Sequence, residues 1–266
     1  MPPVCSQRFS LGEICDQPWC PQVLRDGVTD FLQYSINTWG QYTSLLPTLC
    51  YFLQKTKSQR VVDLCAGGGG PWPTLYRTIR RAFGASFRIL LTDRYPNLAA
   101  LRLVRDASCG VIDVREESLD VCGLPDDLTG FRTLFGSFHH FSDLQAKRIL
   151  QDAVDSGNGI AIFEMTNRQL VTVLTMLSSP FFVWLHTPKI RPFRWSRLLL
   201  TYLFPLIPLV VMVDGIISCL RSYTVTEMTA LTASLAGVPY DWEIRELSAT
   251  RSPFPLIYLI GTPKPS

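Results

Sequence analysis

Two successive histidines, His139 and His140, and an acid, Glu164, that nearly closes the apolar run GIAIFEM are the residues of this chain best suited to handle a proton. Imidazole titrates near neutrality, at about 6.5, and so suits a base. A carboxylate at the end of a buried run needs a reason to be there. Each of these groups could bind a substrate or take its proton. The competing role is a cap: a histidine can cap a carbonyl beside the helix start at Ser142, and Glu164 can cap the turn that follows it. Asp214, after a long apolar run, is a weaker candidate of the same kind, and Trp19, Arg25 and Tyr34 read as core or surface residues before acceptor contacts. No metal centre is expected. The three histidines (His139, His140, His186) do not fall at zinc-ligand spacing from the eight cysteines, and no C-x-x-C occurs.

A second constellation is the stretch VVDLCAGGGGPW, residues 61–72. Four glycines in a row weaken any helix or strand, so something must approach this backbone closely. A strand, a glycine turn and a helix start together cradle a ligand, with amide N–H groups and the positive helix end facing it. Read as a dinucleotide G-x-G-x-x-G from Gly67 and Gly69, the third glycine position falls on Trp72, where a small residue is needed. The Gly-Lys-Ser/Thr of a phosphate loop is absent as well. Further acids close the next apolar runs: Asp93 in LLTDRYPN and Asp113 in GVIDV.

These residues need positioning elements, and the sequence supplies them by alternation. Strand signals at RVVDLC (60–65), SFRILLTD (86–93), GVIDV (110–114), FRTLFGSF (131–138) and GIAIFEM (159–165) alternate with amphipathic helices at 72–83, 96–107 and 142–154, the last opened by Ser142 as N-cap. Residues 20–56 carry helix-like apolar spacing. A late helix at 224–235 precedes two strands near 241–248 and 254–261, close enough together for a hairpin. Repeating strand–helix units with nearly continuous apolar strands predict a parallel sheet covered on both faces.

The glycine stretch resembles motif I of class I S-adenosylmethionine (SAM)-dependent methyltransferases, commonly Asp-Leu-Gly-x-Gly-x-Gly. Asp63 takes the acid position, Gly67 and Gly69 match the later glycines, and Cys65 replaces the first. The resemblance covers roughly 58–165 by motif and 224–261 by topology. It implies an α/β fold: a Rossmann-like, seven-stranded, mostly parallel sheet with an antiparallel terminal hairpin. It implies SAM as cofactor, with Asp63, Ala66, Gly67 and Gly69 forming the loop. Asp93, with Arg94 beside it, would grip the ribose hydroxyls. Asp113 would stand beside the adenine amino group, with Val114 offering its N–H, and Ser137 would fall in the fourth-strand motif FGSFHHF. His139, His140 and Glu164 then lie near the transfer centre. Methyl transfer is an in-line displacement, in which positioning alone supplies ~7–11 kcal/mol, and a base is needed only if the nucleophile must lose a proton.

One segment interrupts the rhythm. From 198 to 213 only Thr201 is plainly polar, and Lys189, Arg191, Arg194 and Arg197 lead into the run. These sixteen residues fall short of the ~20 that span a bilayer, and Pro205 and Pro208 disrupt a helix. A single span would also separate the last two strands from their sheet. Three readings stay open: a cap over the site, a homodimer interface, or peripheral membrane contact through 191–213. All three place apolar surface near the site and point to a small hydrophobic or lipid-like acceptor.

The chain is thus expected to divide into an N-terminal helical segment (1–57), a SAM-binding core (58–165), an apolar insertion (166–223) and a C-terminal helix and hairpin (224–266). A net charge of +3 without a basic run indicates no nucleic-acid partner, and GSFHHF is not the Asn/Asp-Pro-Pro-Tyr/Phe of many amino-group nucleic-acid methylases. The first twenty residues lack the apolar stretch of a signal peptide, so a cytoplasmic protein, peripheral on a membrane in one reading, is expected. A SAM-binding regulatory or structural protein and a methyltransferase acting on a macromolecule are the alternatives.

Overall fold

Short aliphatic runs separated by amphipathic helices assemble into a seven-stranded sheet in this computed structural model, which describes residues 5, 7–237, 239–248 and 255–264. The strands are β1 (Arg60–Asp63), β2 (Arg88–Leu91), β3 (Ile112–Val114), β4 (Phe131–Phe135), β5 (Ile160–Glu164), β6 (Tyr240–Ser248) and β7 (Pro255–Pro263), in the spatial order β3-β2-β1-β4-β5-β7-β6. The first five run parallel. β7 enters antiparallel between β5 and β6, with Phe163 opposite Tyr258. This is the mostly parallel sheet with a terminal hairpin that the sequence implies. β4 and β5 are buried along their whole length, as strands covered on both faces must be.

Ten helices are described: α1 (Gln22–Trp39), α2 (Leu46–Lys55), α3 (Trp72–Phe83), α4 (Leu98–Ala107), α5 (Asp143–Asp155), α6 (Leu170–Met176), α7 (Ser179–His186), α8 (Trp195–Leu198), α9 (Leu206–Arg221) and α10 (Val225–Ala233). Their starts follow the local chemistry. Ser142 and Gln145 form a reciprocal capping box on α5, as do Thr224 and Glu227 on α10, and Asn97 rather than Pro96 opens α4.

Three apolar cores result. One sheet face packs on α2, α3 and α4, with Leu53, Ile79 and Leu101 fully enclosed. The other packs on α5 and α10. The third lies beside the sheet, where Leu24, Val28 and Phe31 of α1 meet Val183 of α7 and Ile207, Val210 and Val211 of α9. The N-terminal helix is therefore a partner of the insertion.

Candidate active site

In an open α/β sheet the ligand crevice lies beyond the carboxyl ends of the parallel strands. The sequence-derived candidates gather at that edge: Asp63 ends β1, Asp93 follows β2, Ser137 follows β4 and Glu164 ends β5. Three of the four glycines after β1 need their freedom. Gly67, Gly69 and Gly70 have φ of 55°, 112° and 48°, the left-handed region that side chains avoid. Gly68 is needed for space, because a Cβ there would meet the Thr29 carbonyl oxygen at 3.3 Å. The close neighbour of this backbone is thus α1. Gln33 donates its amide N–H to the Gly68 carbonyl at 2.5 Å and Asn37 to that of Gly70 at 2.8 Å, while Asn37 Oδ1 accepts the Thr74 N–H of α3 at 3.0 Å.

Asp93 faces this turn. Its Oδ2 accepts the Gly67 N–H and its Oδ1 the Tyr95 N–H, both at 2.7 Å. Burial raises its pKa, and the two amides oppose that rise. Ala66 is buried and accepts the Gly69 N–H. Asp63 is 1% exposed and accepts the indole N–H of Trp72, itself fully enclosed and edge-on to Phe135. Burial pushes the Asp63 carboxyl up to about 7. Trp72, which breaks the dinucleotide pattern in the sequence, is therefore the anchor of the strand-end acid.

Asp113 lies within β3, on the sheet's outer edge, exposed, and accepts the N–H of Val114 at 2.8 Å. Arg94 is exposed, leans towards Asp120 at 3.9 Å, and its carbonyl accepts the Ser118 hydroxyl. Ser137 is buried beside Cys65.

The histidines and Glu164 are brought together. Glu164 is fully buried and accepts the Phe138 and His139 N–H groups on Oε1, at 2.6 and 3.3 Å, so it fixes the turn Phe138–His140. Its Oε2 lies 2.7 Å from His139 Nδ1. Glu13, which the sequence did not single out, approaches from the other side: its Oε1 stands 3.5 Å from His139 Nε2 and accepts the Ser218 hydroxyl at 2.9 Å. Burial alone would lower the pKa of His139, but the two carboxylates overturn that and hold it at about 10. Glu13 is held at about 2 against its burial by the paired imidazoles, and Glu164 is lowered chiefly by His139. His140 is half-buried, its ring 4.4 Å from that of His139, and its Nδ1 lies 2.9 Å from Asp16 Oδ2. Burial opposes its charge too, yet Glu13 and Asp16 raise its pKa.

Asp214 serves the same N-terminal turn, accepting the Ile14 and Cys15 N–H groups at 2.7 and 3.1 Å. Arg25 is buried, donates to the Cys15 and Gln17 carbonyls and stacks on Tyr95 at 3.9 Å. Tyr34 meets His186, while Trp19 is exposed. The acids Glu13 and Asp16 carried no local signal, since what places them at the site is pairing with distant residues.

The apolar run splits at Phe204 and Pro205. α8 continues as a π-helical turn, Leu199–Leu203, and then meets α9 at 78°. α6 and α7 form a second bent pair, at 41°, and among the described residues no single helix is long and apolar enough to cross a membrane. Two of the four basic residues turn inward. Arg197 is buried against Asp30 of α1, and Arg194 reaches Asp26 at 2.8 Å and Asn97 at 2.7 Å. Lys189 and Arg191 remain exposed, as do Trp184, Phe193 and Trp195.

No protein-family model matches the chain, and no curated protein does. Its architecture recurs in solved structures. A putative zinc-dependent alcohol dehydrogenase from Rhodobacter sphaeroides is 11% identical, with a TM-score of 0.53 over 91% of this chain and 98% of that one. Human N-acetylserotonin methyltransferase in complex with SAM is 15% identical, with a TM-score of 0.48 over 86% of this chain and 55% of that one. An O-methyltransferase family protein from Burkholderia thailandensis is 15% identical, with a TM-score of 0.44 over 84% and 56%. The chain spans a little over half the length of these two methyltransferases. What it shares with solved structures is the fold, a Rossmann-like α/β sheet.

Proposed function

We propose that the chain is a SAM-dependent methyltransferase acting on a small hydrophobic or lipid-like acceptor met at a membrane surface. The observation that carries the cofactor half is Asp93, held by two amides directly across from a glycine turn whose backbone only glycine can adopt. In this reading Ala66, Gly67 and Gly69 would face the methionine part of the cofactor, Asp93 its ribose, and Asp113 and Val114 its adenine, with Asp63 and Ser137 behind them. When bound, SAM supplies an electrophilic methyl group on a sulfonium. The chain's own residues bind and orient. Glu164 locks the turn that carries the histidines. His139, held at about 10 between two carboxylates, keeps its proton at neutral pH and acts as a positioning residue. His140, half-buried with Asp16 beside it, is the histidine this reading assigns to the acceptor.

The acceptor half rests on the insertion, where α7, α8 and the π-helical turn that ends at Phe204 present Phe181, Trp184, Trp195, Leu203 and Phe204 to solvent. Large exposed apolar patches mark interaction sites, and aromatic residues with flanking lysine and arginine suit the headgroup layer. Calorimetric titration tests the cofactor. A charge-assisted partner contributes roughly 1.5–3 kcal/mol, so Asp93→Ala should weaken SAM binding about 10- to 100-fold. Unchanged affinity in a folded variant overturns the assignment. The acceptor class is tested with labelled SAM and cell extract: label should enter the solvent-extractable fraction, and label confined to protein or nucleic acid refutes it.

A further inference from the structure

Glu13, His139 and His140 bring three metal-type donor atoms within 4.8 Å of one another, one from the N-terminal turn and two from the turn after β4. Three features separate this group from an ordinary polar cluster. His139 is 2% exposed, yet among the described residues its Nε2 makes no hydrogen bond. It faces the Glu13 carboxylate across 3.5 Å, an ion pair too long for a good hydrogen bond, and a buried nitrogen held that way invites something between them. The other ring nitrogen, Nδ1, is engaged by Glu164 at 2.7 Å. Metal-ligating imidazoles are oriented in this way, by a carboxylate on the far nitrogen. The spacing also fits. His139 Nε2 to Glu13 Oε1 is 3.5 Å and His140 Nδ1 to Glu13 Oε2 is 3.7 Å, long for hydrogen bonds. Two ligands of a tetrahedral zinc, each at ~2.0–2.1 Å, stand roughly 3.3 Å apart.

We propose that Glu13, His139 and His140 form a binding site for a divalent transition-metal ion, with zinc as the best match to two imidazoles and one carboxylate. Magnesium and calcium favour all-oxygen shells and fit this donor set poorly. Three protein ligands leave a further position open, as in catalytic rather than structural zinc sites. Asp16 stands beside His140 Nδ1 and gives up its hydrogen bond when that nitrogen takes the ion. The ion replaces the proton that the carboxylates otherwise hold on His139. The site sits at the strand ends but does not depend on what binds the glycine turn.

The test uses the full chain, stripped with a chelator and dialysed. Zinc titrated into it should bind with one equivalent per chain and raise the melting temperature. Cobalt(II) should give the visible bands of a nitrogen–oxygen site without a thiolate charge-transfer band, which separates this site from the eight cysteines. His139→Gln and Glu13→Gln should lose at least 100-fold in zinc affinity, and Glu164→Gln 10- to 100-fold. Buried substitutions can unfold a protein, so His140→Asn, at a half-buried position, is the arbiter, with its fold checked by circular dichroism. Lack of stoichiometric zinc binding by wild type overturns the proposal. So does a thiolate–cobalt band, or undiminished affinity in folded His140→Asn.

Discussion

Replacing Asp63 by Asn leaves an oxygen for the Trp72 indole N–H and removes a carboxylate that is 1% exposed at the end of β1. Burial holds this carboxyl at about 7, whereas in an unfolded chain it titrates near 3.9. Between those values the folded protein keeps a proton that the unfolded chain has lost. A folded pKa raised above the unfolded one means stability that is complete at low pH and lost as pH climbs through the folded value. Roughly three decades at 1.36 kcal/mol each give a loss of ~4 kcal/mol by pH 8, and ~3 kcal/mol of it falls between pH 4.5 and 7.5. The Asn variant has no such titration. Its stability minus that of wild type should therefore rise by ~3 kcal/mol across that window, measured by urea unfolding with linear extrapolation at each pH. Parallel stability curves for the two proteins, or a difference that shrinks as pH rises, would refute the reasoning and leave Asp63 as a carboxylate that burial does not penalise.

Two other perturbations probe the insertion. Wild type should sediment with anionic liposomes, more weakly as salt screens Lys189 and Arg191, and Trp195→Asp with Leu203→Asp should abolish this without changing the urea midpoint; unaltered partitioning removes the membrane reading. Arg197→Ala strips a fully buried Asp30 of its closest cation, so stability should fall by ~3–5 kcal/mol, and a loss under about 1 kcal/mol in urea unfolding would mean that water or Arg194 takes over.

Much of the fold was legible because its determinants are local. α3 runs over the predicted 72–83, Ser142 caps α5, and the apolar runs become β1 to β5 within a few residues of their expected bounds. The final strands are longer than expected, and the start of the second, expected at 254, lies outside the described residues. Asp93 was readable as an acid after a strand, but Asp113 falls inside β3, because that strand stays paired with β2 as far as Val114. What stayed hidden is long-range. Nothing near Glu13 or Asp16 tells of partners 124 to 205 positions away. Arg194 and Arg197 looked like a basic flank because the acids that turn them inward, Asp26 and Asp30, lie on α1. Trp72 counted against one cofactor in the sequence. Only its position over β1 shows it to be the donor that Asp63 needs.

The clasp between the N-terminal turn and α9 sets an order of events for a chain being made. Ile14 waits for Asp214, 200 positions on, and Glu13 for Ser218, 205 positions on. At ~5–20 residues per second, a ribosome needs roughly 10–40 s to supply those partners. By then β1 to β5 have all been synthesised and can pair, and His139 and His140 are on hand for Glu13 and Asp16. The Ile14 and Cys15 N–H groups, however, have no Asp214 to accept them until α9 emerges. The strand-end acids are in place early, and the turn that carries Glu13 is fixed by α9 only late. A ribosome-bound chain stopped short of α9 would thus carry the glycine turn but leave residues 13–17 without their clasp and open to protease. Release past Arg221 would close them, and the moment of protection would mark the completion of the site.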